Sequence, residues 1–228
     1  MRIFLSVVLV MGAFLTPKAG SATLEFVGIS GAKYVMNVTS LMEARFQSTI
    51  RQQFDFSCGS AALATLLTHH YGYPITKQSV FEEMFSRGDQ EKIRKEGFSL
   101  LDMKSYLNAH NFQGDGFEFP LEKLLESGLP AIVMISEKSY RHFVVIKGMR
   151  DGRILLGDPS SGTRAISLIH FQSLWVNRLL FVIHNRQEQA KFNTSADWRV
   201  APRIPLGEAI SLGSLTTSTS TKLGPGDF

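Results

Sequence analysis

The sequence predicts an α+β domain in which helices come first and an antiparallel sheet follows. The chain has 228 residues, of which 44% are apolar, so one domain of ordinary size can bury a core. Apolar side chains recur at helical spacing between residues 58 and 128, and then fall in short, β-branched runs between residues 131 and 184. A helical half followed by a strand half is typical of the α+β class.

Four helices are expected in the first half, and their ends carry recognisable signals. Ser57 can cap the first helix, Ser99 and Asp102 form a capping-box pattern at the start of the third, and Pro120 opens the fourth. The expected helices cover residues 58–71, a segment from about residue 76, residues 99–111 and residues 120–128.

Short strands are expected in the second half. They cover residues 131–136, 142–147, 153–156 and 179–184, with a short helix over residues 167–175. The segment Arg150-Asp151-Gly152 is a hairpin signal between the second and third of these strands. The two strands beside it are therefore expected to pair antiparallel.

The start of the chain is predicted to be a secretory signal peptide over residues 1–22. Arg2 precedes an apolar run at residues 3–15, and small residues follow up to Ala22. This run is shorter than the about 20 residues that span a bilayer. Lys18, near the expected cleavage site, leaves an uncleaved anchor as the alternative. A cleaved signal predicts a periplasmic or secreted protein without a transmembrane domain.

The rest of the chain is expected to fall into three segments. Residues 23–50 are a lead-in, with a strand at residues 33–38 and a short helix from Ser40, and residues 51–186 are the folded domain. Residues 187–228 lose apolar periodicity and end in a Thr/Ser run. Such a polar tail buries too little surface to offset its ordering entropy, so it is predicted to be mostly disordered.

Charge and cysteine content narrow the function. Lys and Arg number 24 against 20 Asp and Glu, and this small, scattered surplus predicts no nucleic-acid partner. The single cysteine, Cys58, excludes an internal disulfide and a four-thiolate zinc site. In an oxidising compartment an unpaired thiol is either buried as a small apolar group or kept for its reactivity.

The position of Cys58 favours reactivity. At the first turn of a helix, unpaired backbone N–H groups and the helix dipole stabilise a thiolate, so the pKa of Cys58 is expected below its free value of about 8.5. Gly59 would let a substrate backbone approach closely. The alternative is that these residues form only a turn into a core helix.

A thiolate nucleophile needs a base, and His142 is the strongest candidate among the six histidines. It stands at the mouth of an apolar strand. His69 and His70 lie too far along the helix of Cys58, and the other three are expected to be surface or structural histidines.

Asp158, at the end of the next strand, is the candidate that orients this imidazole. The register of the hairpin is open. A tight turn at Asp151-Gly152 would place His142 opposite Ser161, whereas a loop centred on Arg150 would place it opposite Asp158. An oxyanion also needs donors, and either Gln52 or its neighbour Gln53 could supply a side-chain NH2.

Together these residues resemble four motifs of the peptidase C39 family, papain-like domains that process double-glycine leader peptides. The matching segments are residues 51–59 with Ala61-Ala62-Leu63, Gly97-Phe98-Ser99, His142-Phe143-Val144-Val145 and Gly157-Asp158-Pro159. They agree in order over residues 51–184. In this family a Gln stands six residues before the Cys, which selects Gln52.

The resemblance implies a papain-like cysteine endopeptidase acting on an extended polypeptide, without metal or organic cofactor. The implied catalytic residues are Cys58, His142, Asp158 and Gln52, and the implied substrate-binding residues are Gly59 and Ser99. Stand-alone, secreted relatives serve functional-amyloid secretion, so partners among secretion or amyloid-assembly proteins are expected. One alternative is a peptide-binding module of the same fold that does not hydrolyse. Another is acyl transfer to an amine, which uses the same residues.

Overall fold

A computed structural model describes residues 22–27, 33–138 and 140–202. The chain divides into two compact units, residues 1–43 and residues 44–228. The smaller unit contains an antiparallel pair, β1 (Ala22–Val27) and β2 (Lys33–Val38), of which the sequence predicted the second. The predicted signal peptide lies, up to residue 21, outside the described residues.

The larger unit is an α+β domain, as the sequence predicts. Its strands are β3 (Gly114–Phe117), β4 (Ala131–Glu137), β5 (Tyr140–Arg150), β6 (Arg153–Asp158), β7 (Gly162–Ser167) and β8 (Leu180–Ile183). They form one six-stranded sheet in the order β3-β8-β4-β5-β6-β7, and every described pair is antiparallel.

The helices of the chain include each one predicted from sequence. They are α1 (Leu41–Arg45), α2 (Cys58–Thr65), α3 (Lys77–Arg87), α4 (Gln90–Glu96), α5 (Leu100–Ala109), α6 (Leu121–Ser127), α7 (Leu168–Leu174) and α8 (Ser195–Trp198). The capping box of Ser99 and Asp102 is present at α5, and Gly128 ends α6 in the left-handed conformation. Ser57 does not cap α2, because its hydroxyl closes the preceding turn with Phe54 instead.

The sheet is covered on both faces, with α2 packed on β5. Alternate residues of β5 face opposite sides, as pleating requires. Phe143 and Val145 join the core formed with α2 and α5. Val144 and Ile146 join the second core, whose largest helical side chain is Phe171. This central strand carries His142, so both cores hold that residue in place.

Within residues 51–186, three of these helices and strands were not predicted, and each has a weak pattern. Helix α4 buries only Ile93, so it shows no apolar period. Strands β3 and β7 lie at the two edges of the sheet. β3 reads Gly-Asp-Gly-Phe and β7 begins at Gly162, and glycine weakens a strand signal.

The hairpin between β5 and β6 combines a tight turn with a bulge. Asp151 and Gly152 both have positive φ, as a tight two-residue hairpin turn requires. The residues on either side of this turn, Arg150 and Arg153, lie opposite each other. The register then shifts between Ile146 and Gly148, so that Val145 faces Gly157. Neither predicted register is therefore correct. Compared with the register set by the turn, the bulge places Asp158, at the end of β6, one residue closer to His142 along β5.

Residues 187–202 are ordered, so the disordered tail predicted from residue 187 is wrong for this part. The Asn193 side chain bonds both backbone groups of Met149. Trp198 is buried beneath the guanidinium groups of Arg150 and Arg153. Residues 203–228 lie outside the described residues. Among the helices within the described ranges, none is long and apolar enough to cross a membrane.

The bulge residue Lys147 is fully buried and anchors this C-terminal segment. Its ammonium group donates to the Asp197 carboxylate and to the backbone carbonyl and hydroxyl of Ser48. Burial lowers the pKa of Lys147 from its usual range, while Asp197 opposes that shift. A buried cation of this kind is tolerated only with a partner.

We expect Asp197→Asn to lower the free energy of unfolding by about 3 to 5 kcal/mol, because Lys147 would lose its partner in the core. Urea denaturation measures this. Asp115→Asn is the matched control, since Asp115 pairs with Lys104 at the surface, and should cost no more than about 1 kcal/mol. Equal losses for the two variants would contradict the anchoring role.

Candidate active site

Cys58 is the first residue of α2 and faces the central strand of the sheet. Backbone N–H groups of Phe143, Gly59 and Cys58 itself are directed at its sulfur. The residue is 6% exposed, and this burial raises the pKa of Cys58 above its ordinary value despite those donors. The predicted lowering is wrong, because loss of hydration exceeds the stabilisation from the helix terminus. Burial therefore favours the protonated thiol over the thiolate at Cys58.

His142 lies on β5, next to the residue whose N–H faces the sulfur. Its Nε2 is 3.3 Å from Asp158 Oδ2. Its Nδ1 is buried and makes no hydrogen bond within the described part of the chain. The ring is 4% exposed and stacks on Tyr140, with centroids 5.2 Å apart. His142 thus has one nitrogen held and one nitrogen available.

Cys58 and His142 line one cavity of about 640 Å³. Three other histidines bond elsewhere, with His70 on the carbonyl of Lys191, His110 on Glu83 and His184 on Asp115. None of these three lines the cavity. Among the residues that line this cavity with Cys58, the histidine is His142, the one that the sequence favoured.

Asp158 ends β6 and is 1% exposed. One carboxylate oxygen accepts from the backbone N–H and hydroxyl of Ser160, at 2.9 and 2.7 Å. The other accepts from His142 and from Arg164. Burial by itself raises the pKa of Asp158, but hydrogen bonds from His142 and Ser160 outweigh it and hold the pKa below its usual range. The carboxylate stays ionised beside the imidazole.

Gln52 belongs to a loop that is tied to both strands of the hairpin. Its backbone N–H donates to Pro159 O at 3.0 Å, and its half-buried side chain reaches the Tyr140 hydroxyl. That hydroxyl donates to Asp55 O at 3.0 Å. Gln53 is exposed. Gln52 is not among the residues that line the cavity of Cys58 and His142, so its role as an oxyanion donor stays a prediction.

Gly59 and Ser99 occupy structural positions. A Cβ at Gly59 would lie 2.9 Å from both Phe98 Cβ and Met103 Cε, so glycine here permits close packing of α2 on α5. Ser99 caps α5 at an exposed site, and Gly97 and Phe98 line the cavity in its place. Neither residue is among those that line the cavity, and their predicted contact with a substrate stays a prediction.

Two residues with direct contacts in the site were missed from sequence. Tyr140 stands two residues before His142 and shares its face of β5, so strand periodicity could have found it. Arg164 lies on β7, a strand that was not predicted, and bridges Asp158 and Glu137. Within the described ranges, no cluster of three or more His, Cys, Asp or Glu side chains could hold a metal ion.

Residues 47–187 match the peptidase C39 family. The chain is 37% identical over 164 residues to the probable functional amyloid protease FapD of Pseudomonas aeruginosa, covering 72% of each chain. It is 35% identical over 153 residues to FapD of Pseudomonas fluorescens, covering 67% of each. Among solved structures, the peptidase domain of Streptococcus ComA, a bi-functional ABC transporter, is 22% identical with a TM-score of 0.49, over 60% of this chain and 96% of that one.

Ser99→Ala should lower the free energy of unfolding by about 1 kcal/mol, the value of a lost N-cap. It should leave the alkylation rate of Cys58 unchanged, because the hydroxyl bonds only its own helix. Thr76→Ala is the control, since Thr76 caps α3 in the same way. A change in alkylation rate for Ser99→Ala alone would restore Ser99 to the site.

Proposed function

Because this chain is a cysteine peptidase of the C39 family, we propose that it cleaves extended polypeptides internally, with Cys58, His142, Asp158 and Gln52 as its catalytic residues. The observation that carries the assignment is the hydrogen bonding of the two ring nitrogens of His142. A buried polar atom usually has a hydrogen-bond partner; His70 Nε2 also lacks one within the described residues, but His70 does not line the cavity of Cys58. His142 bonds Asp158 through one and leaves the other unpartnered in the cavity that Cys58 lines.

The first step forms a thioester. Cys58 Sγ attacks the scissile carbonyl carbon while His142 Nδ1 takes the thiol proton. Asp158 holds the opposite ring nitrogen and stabilises the imidazolium. The carbonyl oxygen gains negative charge, which the Gln52 side-chain NH2 and the Cys58 backbone N–H stabilise. The C–N bond then breaks, and His142 delivers the proton to the leaving amine.

The second step releases the acyl group. A water molecule attacks the thioester carbonyl as His142 Nδ1 takes its proton, and the C–S bond breaks. The proton returns to the sulfur, and the new carboxylate leaves. The raised pKa of Cys58 makes this base necessary, because a buried thiol holds its proton at neutral pH in the absence of an acceptor.

The similarity to proteases named for functional amyloid supports a substrate class. We propose a leader or secreted component of an amyloid-assembly system, cleaved outside the cytoplasm. The secretory signal read from residues 1–22 supports a periplasmic or secreted location. Partners would then be the secretion or assembly proteins that present the substrate.

Burial of Cys58 is the one observation that favours the alternative of a peptide-binding module without hydrolysis. A thiol that kept its proton in the presence of bound peptide would leave the cavity as a binding groove only. Comparison of the wild type with a cysteine variant separates the two functions.

We expect Cys58→Ala to abolish cleavage and to keep the fold, because Cys58 is small and alanine fills most of its volume. The test incubates both proteins with a peptide library made from secreted proteins, and mass spectrometry reads the new termini. Matched circular dichroism spectra are the folding control. New termini at wild-type yield with Cys58→Ala would refute the proposal, and no termini with either protein would favour the binding module.

His142→Ala should lower kcat/KM by at least about 10³-fold, since it removes the proton carrier. Asp158→Asn should cost about 10- to 100-fold, because an amide oxygen can still accept from Nε2. Initial rates on a cleaved peptide measure both. Equal losses would contradict the assignment of Asp158 as the group that orients His142.

A further inference from the structure

Building on the proposed function, we infer that Arg164 is a positioning residue that holds Asp158 and sets the pH range over which Cys58 and His142 react. Two hydrogen bonds and one ion-pair contact carry this inference. Arg164 Nε lies 3.2 Å and Nη2 lies 3.0 Å from Asp158 Oδ2, and Nη2 also lies 2.8 Å from Glu137 Oε2. One guanidinium therefore joins the buried carboxylate of the site to a carboxylate at the rim.

The oxygen that Arg164 contacts is the one that faces the imidazole. Oδ2 of Asp158 accepts from His142 and from Arg164, while Oδ1 is occupied by Ser160. The carboxylate is thus fixed in one rotation by four donors. The positive charge of Arg164 also neutralises part of the negative charge of Asp158 that would otherwise act on His142 and Cys58.

The carboxylate of Glu137 partly neutralises the positive charge of Arg164. Glu137 ends β4, three strands away from β7 in the strand order. Its side chain is 36% exposed, against 22% for Arg164. Removing Glu137 would leave the Arg164 charge less neutralised, so the two residues have opposite effects on the charge felt at the site.

The other charged or titratable groups near the pair are few. From the elements packed around it, Cys58 comes from α2, and Tyr140 and Arg141 come from β5. Asp55 comes from the loop before α2, and Arg94, Lys95 and Glu96 come from the end of α4. Within the described part of the chain, none of these charged side chains hydrogen-bonds or pairs with Asp158, whereas Arg164 contacts it directly.

The sign of the effect does not depend on which protonation state reacts. Loss of a nearby cation makes a thiolate less stable and an imidazolium more stable, so both groups hold their protons to higher pH. The whole reactivity profile of Cys58 must then move to higher pH in Arg164→Gln. By the same reasoning, Glu137→Gln must move it to lower pH, by less, since Glu137 is more distant and more exposed.

The test measures the alkylation rate of Cys58 by iodoacetamide between pH 5 and pH 10. The chain has one cysteine, so the rate reports this site and needs no substrate. Arg164→Gln should raise the midpoint by about 0.5 to 1 pH unit. Glu137→Gln should lower it by a few tenths of a unit, and Arg164→Lys, which keeps the charge, should stay within about 0.2 units of the wild type.

If Arg164 only stabilises the fold, Arg164→Gln should leave the alkylation midpoint of Cys58 unchanged, while urea denaturation shows a lower free energy of unfolding. That pattern, or a shift of both glutamine variants in the same direction, would overturn the inference. If Arg164→Gln fails to fold, the two Glu137 variants decide it: Glu137→Gln and a second variant, Glu137→Lys, must both lower the midpoint, while Arg164→Lys leaves it near the wild-type value. Glu137→Lys must give the larger downward shift.

Failure of the proposed function gives a separate result. A wild-type protein that cleaves no peptide, but whose alkylation midpoint moves in the expected directions, would refute the peptidase assignment of these residues and leave the role of Arg164 intact. If the wild type cleaves peptide but the alkylation midpoints of the Arg164 and Glu137 variants do not move, the peptidase assignment stands and the role of Arg164 is refuted.

Discussion

The buried hydrogen bond between His142 and Asp158 depends on the register of one hairpin. The tight turn at its tip fixes the pairing there, and the bulge at Lys147 shifts it before the strands reach the site. A bulge in a central strand leaves an extra residue to accommodate. Here that residue is a lysine, which turns into the core and pairs with Asp197. The C-terminal segment therefore supports the site from a distance, by fixing the residue that sets the register.

Burial and reactivity oppose each other at Cys58. The close packing of α2 on β5 brings the sulfur to the strand of His142, and the same packing removes the water that would stabilise a thiolate. Four donors hold the Asp158 carboxylate beside His142, and in the proposed mechanism this carboxylate offsets the cost by preparing His142 to accept the proton. The site is thus built around the base, more than around an acidic thiol.

The sequence predicted the elements that have strong local signals. The capping box at α5 and the tight hairpin turn follow from local chemistry and are present, whereas the Ser57 cap is absent. The contact between His142 and Asp158 was also predicted, while the catalytic roles of Cys58, His142, Asp158 and Gln52 stay predictions. The sequence did not predict the bulge or the order of residues 187–202, because both depend on the pairing of Lys147 with a residue 50 positions later. The prediction that the pKa of the Cys58 thiol is lowered was wrong for a related reason. Helix-terminus effects are local, whereas desolvation depends on the whole packed sheet.

In the proposed mechanism the His142 imidazole takes the proton of the Cys58 thiol. This transfer is tested by comparing the alkylation rate of Cys58 at pH 6 with its rate at pH 10, in the wild type and in His142→Gln. Taking the ratio within each protein cancels differences in access. We expect the pH 6 to pH 10 ratio to fall at least tenfold in His142→Gln, because the thiol loses its acceptor at low pH. An unchanged ratio would contradict it.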